Sequence, residues 1–303
     1  MANSNSVLNT ARKQKRDEFY TRLRDIEKEV INYKEYFKDK IVFCNCNDAI
    51  HGEFKTYFVK EFHNLQLKKL LCAAYDDLDS GIENGFIEEY DGIMWKTRYL
   101  KEKGDFRSDE MQDALLDCDI VVTNPPFSLF RQFIDIIVKS NKKFLILGNM
   151  NTAVCKTTFQ YIMDNKLWFG MTSFNTGMFF EVQSDFEYAK TYAYDKFIDG
   201  KQVSRVPSIT WYTNMPHCRR NNILPLVKKY DPLINKKYDN CDAINVDKVE
   251  DIPNDYYGVM GVPITFIDKW NPNQFTIVGK LTTPIIDGGN IYKRVLIKRN
   301  IFS

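Results

Sequence analysis

The chain has no apolar run approaching the roughly 18 residues that a membrane-crossing helix requires. It has no excess of one charge either: 42 Lys and Arg stand against 40 Asp and Glu, for a formal charge of +2. A uniformly cationic coat for nucleic acid is thereby excluded, while a local basic face stays open. Residues 1–16 are polar and then basic, with none of the apolar stretch that a secretory signal carries. The seven cysteines are odd in number and scattered through a chain too long to depend on disulfide staples, so they read as reduced thiols. Internal repeats and low-complexity tracts are also missing. These absences point to a soluble, cytoplasmic chain with no membrane partner. Its 303 residues, at about 150 per domain, favour two domains, and 44% hydrophobic residues against 27% charged supply a sizeable core.

Arg12, Lys13, Lys15 and Arg16 fall in a segment, residues 1–16, that has no acid and almost no large apolar side chain. Such a segment cannot bury enough surface to order itself, which predicts a flexible basic arm. Over residues 25–37, Ile26, Val30, Tyr33 and Phe37 recur at helical spacing. Short apolar runs at 41–44, 69–75, 120–123 and 144–148 read as buried strands, with helical patterns at 54–62 and 129–139 among them. Strands alternating with helices predict an α/β fold on a doubly wound parallel sheet. After residue 166 the pattern turns strand-rich, at 168–170, 178–182 and 209–213. Beyond Pro216 it becomes rich in Pro, Asn, Asp and Lys, carries the doublets Arg219-Arg220, Lys228-Lys229 and Lys236-Lys237, and ends in a basic strand-like stretch at 292–299. A boundary near Pro216 separates residues 17–216 from residues 217–303.

The segment with most chemical content is Asp119-Ile120-Val121-Val122-Thr123-Asn124-Pro125-Pro126-Phe127, a strand that stops at two prolines. Pro125 pushes Asn124 out of helical space, and two successive prolines fix φ and offer no N–H. The product is a rigid loop at the carboxyl end of a parallel strand, where open α/β sheets place their ligands. There the Asn124 amide oxygen and the Pro125 carbonyl can both accept from one small amine, and Phe127 offers a flat face to a ring. An amine conjugated to a purine is a poor nucleophile. Hydrogen bonds to both of its protons favour a tetrahedral lone pair, and no strong base is needed. The competing reading of the same residues is a plain strand-ending turn.

Asp119 to Phe127 resembles the catalytic motif of S-adenosylmethionine-dependent amino-methyltransferases, and the wider chain resembles the EcoRI-type adenine-specific DNA methyltransferases. The resemblance runs through Asp17-Glu18-Phe19-Tyr20-Thr21, Val42-Phe43-Cys44-Asn45-Cys46, Gly104-Asp105-Phe106-Arg107 and Asn124-Pro125-Pro126-Phe127-Ser128-Leu129-Phe130. It continues in Tyr238-Asp239-Asn240 and in Gly258-Val259-Met260-Gly261-Val262-Pro263-Ile264-Thr265-Phe266, covering nearly the whole chain after the basic arm. The Asn-Pro-Pro-Phe unit alone is shared with methyltransferases of RNA and protein; the C-terminal matches are far more specific.

This resemblance implies a Rossmann-like methyltransferase core over residues 17–216, a target-recognition region over 217–303, and S-adenosylmethionine as cofactor. Phe19, Tyr20 and Thr21 would close over the methionine end of the cofactor. Cys44, Asn45, Cys46 and Asp48 would lie in the loop that grips it, with Tyr75 or Asp76 near the ribose and adenine. Asp105 and Phe106 match the pair that reads the cofactor's adenine ring. Asn124, Pro125, Pro126 and Phe127 would hold the target base, Asn124 also bordering the cofactor. The implied reaction is methyl transfer to the N6 amine of an adenine flipped out of double-stranded DNA, by a monomer. A cognate restriction endonuclease acting on the same site, or a mobile element, would be its setting. One departure is plain: the loop after the first strand is usually Gly-rich, and residues 44–48 contain no glycine. Asn47 and Asp48 tolerate left-handed backbone in its place.

Other constellations carry less. Cys44, Cys46 and His51 are spaced too tightly for a zinc knuckle, and His217-Cys218 is a lone pair, so no metal site is expected. Asp76, Asp77 and Asp79 read as a solvated loop, because no Glu-x-Lys partner for a nuclease follows. Tyr192, Tyr194, Trp211, Tyr212, Tyr256 and Tyr257 can stack bases, although buried core is the commoner use of such residues. Arg12, Lys13, Lys15, Arg16, Arg219 and Arg220 make a phosphate-contacting set. Two rival functions stay open from sequence: an RNA adenine methyltransferase, and a non-catalytic DNA-binding protein on the same fold.

Overall fold

The structure, a computed structural model, describes residues 20–46, 48–75, 84–173, 178–181, 196–198, 200–206 and 208–301. The predicted basic arm lies outside these residues. The chain forms two compact units: Met1–Ala153 with Phe169–Met215, and Val154–Trp168 with Pro216–Ser303. The stretch Val154–Trp168 thus groups with the C-terminal residues although it precedes Pro216 in sequence.

In the first unit the elements run β1 (Tyr20–Thr21), α1 (Leu23–Val30), β2 (Ile41–Cys44), α2 (Asp48–His51), α3 (Glu53–Lys60), β3 (Lys69–Ala74), β4 (Phe86–Tyr90) and β5 (Trp95–Tyr99). There follow α4 (Asp109–Asp117), β6 (Ile120–Thr123), α5 (Phe130–Lys139) and β7 (Lys143–Asn149). After α6 (Lys156–Met163), which belongs to the second unit, come β8 (Trp168–Phe169), β9 (Met178–Glu181), β10 (Lys196–Ile198), β11 (Lys201–Val206) and β12 (Ile209–Thr213). The main sheet has the order β5-β4-β3-β2-β6-β7-β12-β8, and a smaller one the order β1-β9-β11-β10. The runs Ile-Val-Phe-Cys in β2 and Ile-Val-Val-Thr in β6 are buried along almost their whole length, as strands covered on both faces must be.

The expectation of a parallel sheet holds for the centre alone. β3, β2, β6 and β7 are parallel neighbours, with Cys44 opposite Cys72, Phe43 opposite Val121 and Thr123 opposite Ile146. β4, β5 and β12 are antiparallel. The β4–β5 connection is a tight hairpin: Gly92 has φ +94°, and Asp91 Oδ1 accepts from the Ile93 and Met94 amides at 3.0 and 2.9 Å. A two-strand hairpin can only be antiparallel.

The helix predicted over 25–37 divides at Val30 and continues as a 3-10 turn, Ile31–Tyr36, with Tyr33 at φ −128°. Local side chains account for the break. Asn32 Nδ2 donates to the Lys28 and Glu29 carbonyls at 2.9 and 3.0 Å, taking acceptors a longer helix would use. The Tyr33 hydroxyl turns back to the buried Glu29 Oε1 at 2.9 Å. Glu29 also accepts from the backbone N–H of Met171 (2.6 Å) and of Thr172 (2.7 Å), so one carboxyl clamps the turn after β8 to α1. Gly170 belongs to this fit, since a Cβ there would stand 2.4 Å from Glu29 Oε1.

The second unit is a five-stranded sheet, β13 (Lys237–Tyr238), β14 (Cys241–Asn245), β15 (Met260–Pro263), β16 (Phe275–Leu281) and β19 (Arg294–Arg299), in the order β13-β14-β15-β19-β16, with a small hairpin of β17 (Ile285–Ile286) and β18 (Gly289–Asn290). Two segments singled out in the sequence meet inside it. The buried Tyr238 hydroxyl donates to Asn245 Oδ1 (2.8 Å) or the Gly261 carbonyl (3.1 Å), and a Cβ on Gly261 would stand 2.3 Å from that hydroxyl. Arg294 Nε donates to the same Asn245 oxygen at 3.1 Å and Nη2 to the exposed Asp247 at 3.2 Å, so the polar network runs from the core to the surface.

Burial raises the Glu29 carboxyl above its ordinary value. A carboxyl raised by folding contributes stability that is complete below its unfolded value and is lost as pH climbs through the raised one. Glu29→Gln leaves the Thr172 amide without a matched acceptor and is expected to cost about 1–3 kcal/mol in acid. The gap to wild type should narrow toward neutral pH, as urea unfolding at several pH values would register; a gap that widens contradicts the assignment.

Candidate active site

Because β3, β2, β6 and β7 run parallel, their carboxyl ends emerge along one edge, with about 4.8 Å between neighbours. Tyr75 follows β3, Asn45 and Cys46 follow β2, and Asn124 follows β6, so three separate stretches of sequence converge. The β6 ladder ends at Thr123, and Asn124, Pro125 and Pro126 are irregular backbone. The chain then turns: Leu129 N–H donates to the Pro126 carbonyl at 3.0 Å, and α5 starts one residue later. α5 sits tightly on β7, for a Cβ on Gly148 would lie 2.3 Å from the Phe130 ring. The loop is therefore held by a strand before it and a docked helix after it.

Asn124 is half-buried, with Oδ1 shielded from solvent. Phe127 is also half-buried and meets Phe180 edge-to-face, ring centroids 6.4 Å apart at 86°. Phe180 comes from β9, opposite Thr21 of β1. The small sheet thus reaches the loop that carries Phe127, a contact that sequence patterning does not indicate.

Asp105 and Phe106 follow Gly104, whose φ of +83° and whose Cβ position, 2.5 Å from the Ala74 carbonyl oxygen, admit only glycine. That close approach brings residues 104–107 to the end of β3. Arg107 grips Asp105 through Nε (2.8 Å) and Nη2 (2.5 Å), and its Nη1 donates to Gln132 on α5 at 3.1 Å. Phe106 is buried edge-to-face against Phe133 of α5, 5.1 Å between centroids. The Arg107 guanidinium holds the Asp105 carboxyl below the usual carboxylate range. An ionised carboxylate has about four lone-pair sites, so Asp105 retains acceptor capacity beyond what Arg107 uses. With the Asn45 amide and the half-buried Tyr75 ring on the adjoining strand ends, this donor and acceptor set suits a nucleoside that bears a cationic group.

The remaining sequence-predicted residues divide three ways. Phe19, Asp76, Arg12, Lys13, Lys15 and Arg16 lie outside the described residues, as do Asp77, Asp79, Tyr192 and Tyr194. Tyr20 and Asp48 are described in backbone alone: Tyr20 pairs with Glu181, and Asp48 opens α2. Thr21, Cys44 and Asn45 are buried; Cys44 belongs to the apolar core with Cys72, leaving its backbone as the part that faces the edge. Cys46 is half-buried, its thiol 3.6 Å from Asn45 Oδ1.

One expected phosphate contact is corrected, and a second is tied up in an ion pair. Arg220 is 7% exposed, its guanidinium stacked 5.0 Å from the Trp168 ring and 4.5 Å from the Trp270 ring. It donates to Asn165 Oδ1 at 2.6 Å and to the Trp270 carbonyl, and burial lowers it to about 10. Arg219 is tied to the buried Asp268 carboxylate at 2.8 Å. Charge doublets look alike in sequence whether they face water or close a core, and here aromatic planes and a buried acid claim both arginines. Trp211 and Tyr212 are core residues as well, whereas Tyr257 is half exposed beneath Arg299. Among the described residues no group of three His, Cys, Asp or Glu side chains could hold a metal ion, and no helix is long and apolar enough to cross a membrane.

The comparisons with known proteins agree on one family. The family described as adenine-specific methyltransferase EcoRI matches residues 7–300. The chain is 41% identical to the type II methyltransferase M.EcoRI of Escherichia coli, over 97% of both chains. It is 39% identical to the type II methyltransferase M.MgeORF184P of Mycoplasma genitalium, over 96% of this chain and 92% of that one. It is also 39% identical to M.MpnI of Mycoplasma pneumoniae, over 91% and 86% respectively. No solved structure gives a significant match. The chain belongs to the EcoRI family of adenine-specific methyltransferases, and the α/β sheet and its carboxyl edge are those of a methyltransferase fold.

Sequence patterning does not mark Arg107, Gln132, Phe133 or Phe180 as functional positions, although Arg107 stands two residues from Asp105. Arg107→Met is expected to return the Asp105 carboxyl toward its ordinary range, which carboxyl-carbon NMR would follow in a pH titration. The stability that this carboxylate contributes, present above its unfolded value and lost as pH falls through the depressed one, should shrink in the same variant. No movement of Asp105 would contradict the pairing.

Proposed function

We propose that the enzyme methylates the N6 amine of adenine in double-stranded DNA, at one short sequence, with S-adenosylmethionine as donor. The observation that carries this reading is the rigid Asn124-Pro125-Pro126-Phe127 loop at the carboxyl edge of β6, in a chain of an adenine-specific methyltransferase family. S-adenosylmethionine, when bound, supplies an electrophilic methyl group. On this reading Asn45, Cys46, Tyr75, Asp105 and Phe106 hold it along the strand ends, with Thr21 of β1 closing over it.

Asn124 Oδ1 and the Pro125 carbonyl accept hydrogen bonds from the two N–H groups of the amine, so that its lone pair is less spread over the ring and points away from both acceptors. Pro125 and Pro126 cannot rotate about φ, which keeps the two acceptors in one arrangement before the base arrives. Phe127 stacks on the purine, and Phe180 braces Phe127 from the side. A duplex hides the amine, so the adenine rotates out of the stack, at a cost of a few kcal/mol. Stacking worth about 1–3 kcal/mol and the two hydrogen bonds offset it.

Residues 217–303 serve as the target-recognition region, and residues 1–16 as a sequence-independent phosphate contact. The three relatives are named as type II methyltransferases. On this reading the enzyme protects its site from a cognate endonuclease, and a monomer suffices to act on one strand at a time.

Asn124→Ala is expected to slow methyl transfer by about a hundredfold or more and to leave duplex affinity nearly unchanged. Wild-type transfer in that variant contradicts the mechanism. Deleting residues 1–16, with their four cations Arg12, Lys13, Lys15 and Arg16, should lower the slope of log K against log salt by up to about 3–4. Sequencing of the methylated product should show the same site as before; an altered site would mean that the arm reads bases.

A further inference from the structure

A cleft of about 310 Å³ lies at the amino end of α1, and Arg22, Arg24, Lys28, Phe179 and Trp211 help to line it. Its lining holds three cations and one carboxylate, Asp25. That carboxylate is already taken: Arg22 donates to its Oδ2 through Nε (3.1 Å) and Nη2 (2.9 Å), with the guanidinium carbon 5.5 Å from the centre of the Phe179 ring. Arg22 is therefore fixed in place with further N–H donors to spare. Arg24 and Lys28, four residues apart on one helix face, are exposed and pair with no acid among the described residues.

Two further features favour a negative ligand. α1 begins at Arg22 with no side-chain cap, so amides of its first turn keep hydrogen-bonding capacity, although Asp25 lies in that turn and offsets part of the positive end of the helix dipole. Independently, Trp211 is 1% exposed, and its Nε1–H is buried without an acceptor among the described residues. A buried donor of this kind costs free energy until something accepts from it.

We propose that this cleft binds a phosphate of the nucleic-acid backbone, on the strand that carries the flipped adenine. The proposal rests on the DNA reading above and adds to it where the backbone is gripped. Two observations favour a polyanion over a lone carboxylate. Four helical residues span about 6 Å, so the charges of Arg24 and Lys28 form a short row on the surface. β9 also borders both places: Phe179 lines the cleft, and its neighbour Phe180 meets the Phe127 ring.

The test uses the full-length enzyme in two variants, Arg24→Ala/Lys28→Ala and Trp211→Phe. Duplex binding is followed by fluorescence anisotropy across a salt series, and S-adenosylmethionine binding by calorimetry. The double variant changes exposed side chains alone and should lower the slope of log K against log salt by about 1–2, with cofactor affinity unchanged. Trp211→Phe keeps an aromatic side chain, though a smaller one, and removes the donor; it should weaken duplex binding by about tenfold and leave the slope alone. Unchanged duplex binding in both variants overturns the proposal. Weakened cofactor binding with an intact salt slope overturns it too, and assigns the cleft to the cofactor's carboxylate. Failure of the DNA reading itself would look different: the wild-type enzyme would show no salt-dependent duplex binding at all.

Discussion

Two prolines in succession can neither extend a strand nor rotate about φ, and the catalytic edge depends on that constraint. β6 is a buried inner strand, so its direction is set by the ladders on both sides of it. When the ladder stops at Thr123, Asn124 and the two prolines leave the sheet on a path with little freedom, and α5, locked to β7 through Phe130 and Gly148, receives the chain. Acceptors placed in this way need no reorganisation when an amine arrives. The chemistry attributed to the loop is a consequence of backbone rigidity before it is a consequence of side-chain identity.

Within each unit the fold is fastened by polar contacts in places where a purely apolar core would have been simpler. Glu29 ties α1 to the turn after β8; Arg107 ties Asp105 to α5; Tyr238, Asn245 and Arg294 tie three strands of the second unit. A buried polar group is tolerated when its partners are in place, and it then specifies one geometry more strictly than apolar packing does. The Asp105 grip illustrates the use. The Arg107 guanidinium keeps the carboxylate ionised and aims it from a segment that Gly104 has already brought against the end of β3.

Much of this is legible in the order of the amino acids. The strand expected at 41–44 falls on β2 and that at 120–123 on β6, because β-branched and aromatic runs bounded by polar residues have few other uses. The Asn-Pro-Pro stop is legible for the same reason: its backbone consequences are local. What escapes is set by partners that apolar periodicity does not report. Asn32 and Tyr33 end α1 early through hydrogen bonds to Lys28 and Glu29. The antiparallel margins depend in part on a hairpin turn whose signal is a single glycine, Gly92, after Asp91. Arg219 and Arg220 look like surface charge in a linear chain, yet Asp268, Trp168 and Trp270, about 50 positions away, surround them. Phe180 likewise shows its relation to Phe127 only through the pairing of β9 with β1.

The most direct measurement is incubation of the purified enzyme with plasmid DNA and S-adenosylmethionine, followed by modification-sensitive sequencing of the product. Methylated adenine confined to one short recurring sequence is the predicted result, and it would establish substrate, reaction and site selection together. Unmodified adenine, with cofactor binding intact, would contradict the DNA substrate and direct attention to RNA.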